Sequence, residues 1–319
     1  MTDTPMKSLA RRVLAHYDLD VERLSSGREL WNTIFEVRTR DGGRYALRIN
    51  RPGHRTELEV RSELLWLDAI RRDTDLMVPQ PVHARDGQLL VTESLDGRDR
   101  FAALFTWLPG RHVRRRAPSP RVGWLLGRTT ARLHDHADTF RPPAEFSSHR
   151  FDRICGIGER PTVFSDEPNV ILTPDRKARL REAAAETQDE TDRLYKDPSG
   201  ARFLHADMHF GNVKLLHGDM GVLDFDDSLW CFPVQDIGIA AYYLQWRSNK
   251  DALMEAFRTG YETVREWPEA YPGQVWTYVR ARALDLIDVS FEVDDPGYQA
   301  QLPSIIEFNE QLVLGPSSP

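Results

Sequence analysis

The rhythm of apolar and polar positions changes once along this chain. The stretches WNTIFEVRTR and RYALRIN alternate around Asp41-Gly42-Gly43. Side chains of a strand point alternately to its two faces, so this pattern over residues 21–50 predicts strands with a hairpin. QLLVTESL and RFAALFTWL, around the turn Asp96-Gly97, predict two more strands. Helical spacing predicts a short helix over 6–17 and a longer one over 56–72, the latter with Val60, Leu64, Leu67 and Ile70 on one face. Past Leu108-Pro109-Gly110-Arg111 the helical period takes over, and helices are expected at 121–136, 174–196, 233–246, 251–265 and 274–291. Residues 203–227 interrupt that half as an island of short strands. The expected plan is α+β: a small antiparallel β lobe (1–108), a Pro-Gly joint, and a larger helical lobe (109–319) with an embedded hairpin.

Composition narrows the class. The 319 residues suffice for two packed units, and 40% hydrophobic with 29% charged residues describes a folded, water-soluble chain. A formal net charge of -7 argues against a general nucleic-acid partner, the run Arg111–Arg116 being read as a solvated loop. Cys155 and Cys231 form neither a disulfide framework nor a metal pattern, as expected of a cytoplasmic protein. The N-terminus lacks a secretory pattern, and no apolar run is long enough for a membrane span. Oligomeric state is not readable. Lysine is rare, and from Ser8 to Arg176 every basic side chain is Arg or His.

The island carries the candidate chemistry. Val213–Leu216 and Gly221–Leu223 are short and apolar, with His217-Gly218-Asp219-Met220 between them as a turn. A tight hairpin would bring Asp207, Asn212 and Asp224 to one mouth. Two carboxylates and an amide oxygen are hard donors, suited to Mg²⁺ rather than zinc, and a carboxylate left off the metal can orient a hydroxyl and accept its proton.

The motif His205-x-Asp207-x-x-x-x-Asn212, followed by Leu223-Asp224-Phe225-Asp226 and later by Val234-Gln235-Asp236-Ile237-Gly238, resembles the aminoglycoside phosphotransferase/choline kinase-like superfamily. That resemblance implies a two-lobed protein-kinase-like fold and ATP-dependent transfer of the γ-phosphoryl group with Mg²⁺. Carried over residue by residue, it implies Asp207 as catalytic base and Asn212 and Asp224 as metal ligands. His205 would hold the loop, Asp236 would brace it, and Asp226 would stand behind the metal.

Such a kinase needs a strand cation for the α- and β-phosphates and a helix carboxylate to hold it. Tyr45-Ala46-Leu47-Arg48-Ile49 supplies Arg48, with Glu63 as partner and Glu59 as alternative. The family usually has Lys there, and a guanidinium is bulkier and forked. Ser25, Ser26 and Gly27 are the candidates for the turn over the phosphates. The segment Phe105–Leu108, with Thr106 and Leu108, is expected to read the adenine edge.

The expected acceptor is a small molecule bearing a hydroxyl: an amino sugar, an amino alcohol or a homoserine-like amino acid. Tyr242, Tyr243, Trp246, Asp285, Asp288, Glu292, Asp294 and Asp295 are its candidate lining. Competing readings are a protein Ser/Thr kinase of the same fold, a nucleotide-binding pseudokinase, and a metal hydrolase built on His205, Asp207 and His209.

Overall fold

The computed structural model describes residues 4–29, 32–113, 118–155 and 162–315, the side chains of 26–29 excepted. The first elements are α1 (Pro5–Leu14), β1 (Val21–Glu29), β2 (Asn32–Thr39), β3 (Arg44–Asn50), α2 (Glu57–Asp73), β4 (Val91–Leu95), β5 (Arg98–Thr106) and β6 (Arg111–His112). Then follow α3 (Pro120–Thr139), α4 (Pro174–Leu194), β7 (Arg202–Leu204), β8 (Val213–Leu216), β9 (Asp219–Val222) and β10 (Leu229–Cys231). The chain finishes with α5 (Pro233–Gln245), α6 (Lys250–Glu262), α7 (Gln274–Ser290), α8 (Pro296–Gln299) and α9 (Leu302–Leu314). These form two compact units. One comprises Met1–Val113, Asp135–His149 and Phe210–Ser228; the other comprises Arg114–His134, Arg150–His209 and Leu229–Pro319.

In the first unit an antiparallel sheet runs in the order β1-β2-β3-β5-β4. The hairpin register pairs Phe35 with Leu47 and Thr33 with Ile49. Phe35, Val37, Leu47, Ile49, Ala102 and Leu104 form one core with Leu9, Ala10, Val13 and Leu14 of α1. Because β3 gives Leu47 and Ile49 to that core, its period of two turns Arg48 to the opposite face. Helix α2 starts at a capping box, in which the Thr56 hydroxyl accepts the Glu59 amide and the Glu59 carboxylate accepts the Thr56 amide. It buries Glu63, Leu64, Trp66, Leu67 and Ile70.

A second sheet of this unit orders β6-β8-β9. Its hairpin turns in two residues, His217 and Gly218, not in the four expected. Both carry positive φ, 52° and 85°, the twist that matches two-residue hairpins. Gly110, at φ 108°, leaves β6 room against β8, since a Cβ there would stand 2.8 Å from the Leu215 carbonyl oxygen.

The second unit is helical around the short pair β7–β10. Helix α5 packs on α7, and α7 on α9. The first contact is close because Gly238 has no Cβ, which would collide with Tyr278. Helix α9 was not anticipated: its buried stripe Leu302, Ile306, Asn309, Val313 is broken by an asparagine. That asparagine is buried because its side-chain oxygen accepts the Tyr242 hydroxyl at 2.7 Å. Among the described residues no helix is long and apolar enough to cross a membrane.

Candidate active site

In the first unit Arg48 and Glu63 form a buried, bidentate pair. Arg48 Nη1 donates to Glu63 Oε1 at 2.8 Å and Nη2 to Oε2 at 2.6 Å, with both side chains about 5% exposed. Burial alone would lower the pKa of Arg48. The Glu63 carboxylate, aided by Asp226 and Asp224, more than reverses this and holds the guanidinium charged. Glu59, the alternative partner, instead caps α2 and meets His149 Nε2 at 2.5 Å.

The segment after β9 places two carboxylates near that cation. Asp224 is exposed and sits at φ 65°, in the left-handed region that a side chain adopts at a cost of roughly 1–3 kcal/mol. Phe225 is buried edge-on against Trp66, centroids 5.5 Å apart. Asp226 accepts Asn32 Nδ2 at 2.5 Å, and Asn32 Oδ1 in turn accepts Asn50 Nδ2 at 3.2 Å. Burial pushes the Asp226 pKa up, but the Arg48 charge leads the effects that hold it below the usual carboxylate range. Asn212 is buried just before β8, and its carbonyl accepts the Leu223 amide at 2.8 Å, tying together the two ends of the hairpin.

Of the remaining nucleotide candidates, Ser25, Thr106 and Leu108 are bonded within the unit. Ser25 Oγ donates to the Glu36 carbonyl at 3.4 Å, beside a bulge between Ser26 and Glu29. The side chains of Ser26 and Gly27 lie outside the described residues, as do Arg114, Arg115 and Arg116 of the arginine run. Thr106 exchanges bonds with Gln80 through its amide and its hydroxyl. The Leu108 carbonyl accepts Lys214 Nζ at 2.8 Å. Lys214 and Arg44 both lie over the Trp107 ring, at 4.6 and 3.7 Å from its centroid.

In the second unit the loop between β7 and the island is braced from α5. Asp236 Oδ1 accepts the Ala206 amide at 2.8 Å, and Oδ2 lies 2.7 Å from His134 Nε2. His134 Nδ1 meets the Tyr261 hydroxyl at 2.9 Å. This buried chain holds Ala206 at φ 56°, a strained turn that sets the position of Asp207. His205 Nδ1 accepts the Asp207 amide at 3.3 Å, so the imidazole serves the loop itself. Among the described residues no group of three His, Cys, Asp or Glu is placed to hold a metal.

Asp207 is buried and heavily solvated by side chains. Its Oδ1 accepts Arg282 Nη2 at 2.7 Å and the Tyr243 hydroxyl at 2.8 Å, and Oδ2 lies 3.3 Å from His209 Nε2. Burial raises its pKa, but His209, Arg282 and Tyr243 together outweigh that and hold the carboxyl well below the usual range. Tyr243 moves the other way: burial, with Asp207 alongside, keeps its phenol protonated and donating. Sequence reasoning placed Tyr243 in the acceptor wall and missed Arg282, His134, Tyr261 and Lys214. The available signal for Arg282 was the spacing Arg282-x-x-Asp285-x-x-Asp288 on a buried helix stripe.

Asp285 and Asp288 serve the backbone. Asp285 Oδ1 accepts the Cys155 amide at 2.6 Å and Asp288 Oδ1 the Val163 amide at 2.8 Å. Burial raises the two carboxyls to about 7 and about 6. Raised acids bind more protons folded than unfolded, so their stabilising contribution is full below the unfolded carboxylate range and is lost as pH rises through 6–7. The urea midpoint is expected to fall between pH 5 and pH 8, and an Asp285→Asn/Asp288→Asn variant should show a shallower fall. An equal slope in both proteins would refute the assignment.

Comparison with known proteins bears on the family and the fold. The model of a family described as "APH: Phosphotransferase enzyme family" matches residues 20–272. An uncharacterized protein of Synechocystis sp. is 33% identical over 276 residues, 81% of this chain and 70% of that protein. A microcompartment-associated aminopropanol kinase has the same fold, with a TM-score of 0.79, 22% identity and 96% of each chain covered. So has an amicoumacin kinase, hAmiN, solved with AMP-PNP, Ca²⁺ and Ami: TM-score 0.80, 17% identity, 97% of this chain and 94% of that one.

Proposed function

The chain belongs to the phosphotransferase enzyme family, and on that premise we propose that it moves the γ-phosphoryl group of ATP to a hydroxyl of a small, amine-bearing acceptor. The observation that carries the reading is the buried carboxylate of Asp207, fixed by three side chains on a loop strained at Ala206. Such a group orients a hydroxyl and takes its proton as the new O–P bond forms. Arg48, held by Glu63, would steady the α- and β-phosphates. Its guanidinium replaces the family's usual ammonium with a forked, permanently charged donor.

The donor set fits Mg²⁺. Asn212 and Asp224 offer oxygen ligands, and Asp226 stands beside Asp224 in the same turn. Mg²⁺ prefers few protein carboxylates, completed by phosphate and water oxygens. When bound, the ion neutralises charge on the β- and γ-phosphates. Asn212 and Asp224 would hold it, and the bond from Asn32 would keep Asp226 in place behind them.

The acceptor class rests on two supports. The fold relatives are named as kinases of aminopropanol and of amicoumacin. On this chain, Asp294 is exposed beyond α7 and offers an acidic group to an amine, while the neighbouring Asp295 caps α8 by accepting the Tyr298 amide at 2.7 Å. A cytoplasmic setting, where ATP and Mg²⁺ are both available, suits this chemistry.

The test is transfer of label from γ-³²P-ATP with Mg²⁺. Acceptors would be aminopropanol, choline, homoserine, an aminoglycoside panel and a low-mass cell extract. Label is expected in a small-molecule product, with ADP release well above that in water alone. Label confined to protein would overturn the small-molecule acceptor in favour of a protein kinase. Nucleotide binding with no transfer to any of these would overturn the enzyme reading of this site.

A further inference from the structure

We propose that Arg282, together with Tyr243, is a positioning residue for phosphoryl transfer. The pair loads one oxygen of Asp207 and turns the other, on the His209 side, toward the acceptor hydroxyl. This rests on the reading of Asp207 as the base.

Three hydrogen bonds close a triangle at Asp207. Arg282 Nη2 donates to Asp207 Oδ1 at 2.7 Å and to the Tyr243 hydroxyl at 2.8 Å, and that hydroxyl donates to the same Oδ1 at 2.8 Å. Two donors on one carboxylate oxygen fix the rotation of the carboxylate as well as its place. Both donors come from rigid elements: Tyr243 from α5, whose first turn carries Asp236, and Arg282 from the middle of α7. The two helices meet at Gly238, where a side chain would not fit. The triangle is therefore built by helix packing and not by a loop.

Stability does not explain the arrangement. Arg282 is 7% exposed and Asp207 8%. Burying such a pair costs both ions their hydration, and apolar replacements are often as stable or more so. What the pair does achieve is a fixed carboxylate, and behind His209, whose charge and hydrogen bond lead, it helps to hold that carboxyl below the ordinary range. A base held well below the ordinary carboxylate range stays anionic at any working pH and does not strip a free alcohol. It accepts the proton only as the alcohol oxygen becomes bonded to phosphorus. In the balanced step, the acceptor O–P bond forms and the bond between the γ-phosphorus and the ADP oxygen breaks. The acceptor proton passes to Asp207 Oδ2 and then to solvent. His209, whose ring lies against Tyr243 at 4.3 Å between centroids, lines the side on which that happens.

The experiment compares Arg282→Gln, Arg282→Lys and Tyr243→Phe by two readouts. The first is ¹³C NMR titration of the aspartate carboxyls, with Asp207 assigned by its loss in Asp207→Asn. The second is ADP release, using the best acceptor of the panel above or water itself. In Arg282→Gln the Asp207 titration is expected to move up toward the ordinary carboxylate range. Turnover should fall about 100-fold, the usual effect of a misplaced reacting group, with KM for ATP within about twofold. Arg282→Lys restores charge without the fork and should recover part of the rate. Tyr243→Phe removes one donor and should fall between the two. An unmoved titration with normal turnover, or a rise confined to the KM for acceptor, would overturn the proposal. If Arg282→Gln does not fold, the same readouts on the lysine and phenylalanine variants decide. Failure of the underlying reading looks different: Asp207→Asn itself would then keep its turnover.

Discussion

Asp207→Asn is expected to lower phosphoryl transfer by roughly 100- to 10,000-fold, the range by which a positioned base accelerates proton transfer, while ATP binding stays within about twofold. The substitution keeps the shape of the side chain and one acceptor oxygen, so the Tyr243 hydroxyl retains a partner. It removes the charge, and with it the capacity to take the acceptor's proton. It also takes away the carboxylate charge to which Arg282, 7% exposed, donates. Stability should therefore fall too, and turnover must be read at a temperature where calorimetry shows the variant fully folded. Turnover and nucleotide affinity are checked by ADP release and by titration calorimetry with AMP-PNP. A folded variant that turns over at the normal rate would remove Asp207 from the chemistry.

Glu63→Ala should produce the largest loss of stability in the first unit. Arg48 keeps its charge, is only 4% exposed, and gives both of its terminal nitrogens to Glu63. Removing one partner of such a buried pair typically costs about 3–5 kcal/mol, because the other charge is left uncompensated. Asp226 and Asp224 already bias Arg48 toward the charged form and will soften the loss without replacing two bonds. The measurement is urea unfolding of Glu63→Ala, Arg48→Met and the double variant Arg48→Met/Glu63→Leu. The double variant should recover most of the stability, since neither charge remains to be buried. It should not recover ATP turnover. That separation would show that the pair is kept for the nucleotide and not for the fold. A double variant with normal turnover would disprove the role given to Arg48.

The strand half of the plan was legible because its code is local. Alternation in WNTIFEVRTR and RYALRIN, with Gly42 at φ 87° in the turn, predicts β2 and β3 without reference to the rest of the chain. The partnership of Arg48 with Glu63 was legible for a different reason. The resemblance implies a strand cation for the phosphates and a helix carboxylate to hold it, and only Arg48 with Glu63 or Glu59 stood at those places in the sequence. Boundaries read less well. The island hairpin turns two residues earlier in its second strand than expected, because positive φ at His217 is invisible in an alternation pattern. Helix α9 escaped because Asn309 breaks its stripe, and its burial depends on a hydroxyl sixty-seven positions away.

The acidic acceptor wall shows the limit most plainly. Asp285 and Asp288 read as surface carboxylates facing a ligand, yet their oxygens hold the amides of Cys155 and Val163. No spacing rule connects those positions. The same holds for His134 and Tyr261, which brace Asp236 from α3 and α6.

The sequence alone determined the chemistry on offer. Its ordered set Asp207, Asn212, Asp224 and Asp226 consists of oxygen donors suited to a hard cation and a hydroxyl, and side-chain type and order along a short loop are local properties. Only the tertiary structure decided how that chemistry is tuned. Arg282 and Tyr243 reach Asp207, and Asp285 and Asp288 reach backbone amides, within 3 Å only because the fold joins long stretches of chain. Electrostatic interactions of this kind fall off with distance in space, and distance along the chain does not report it.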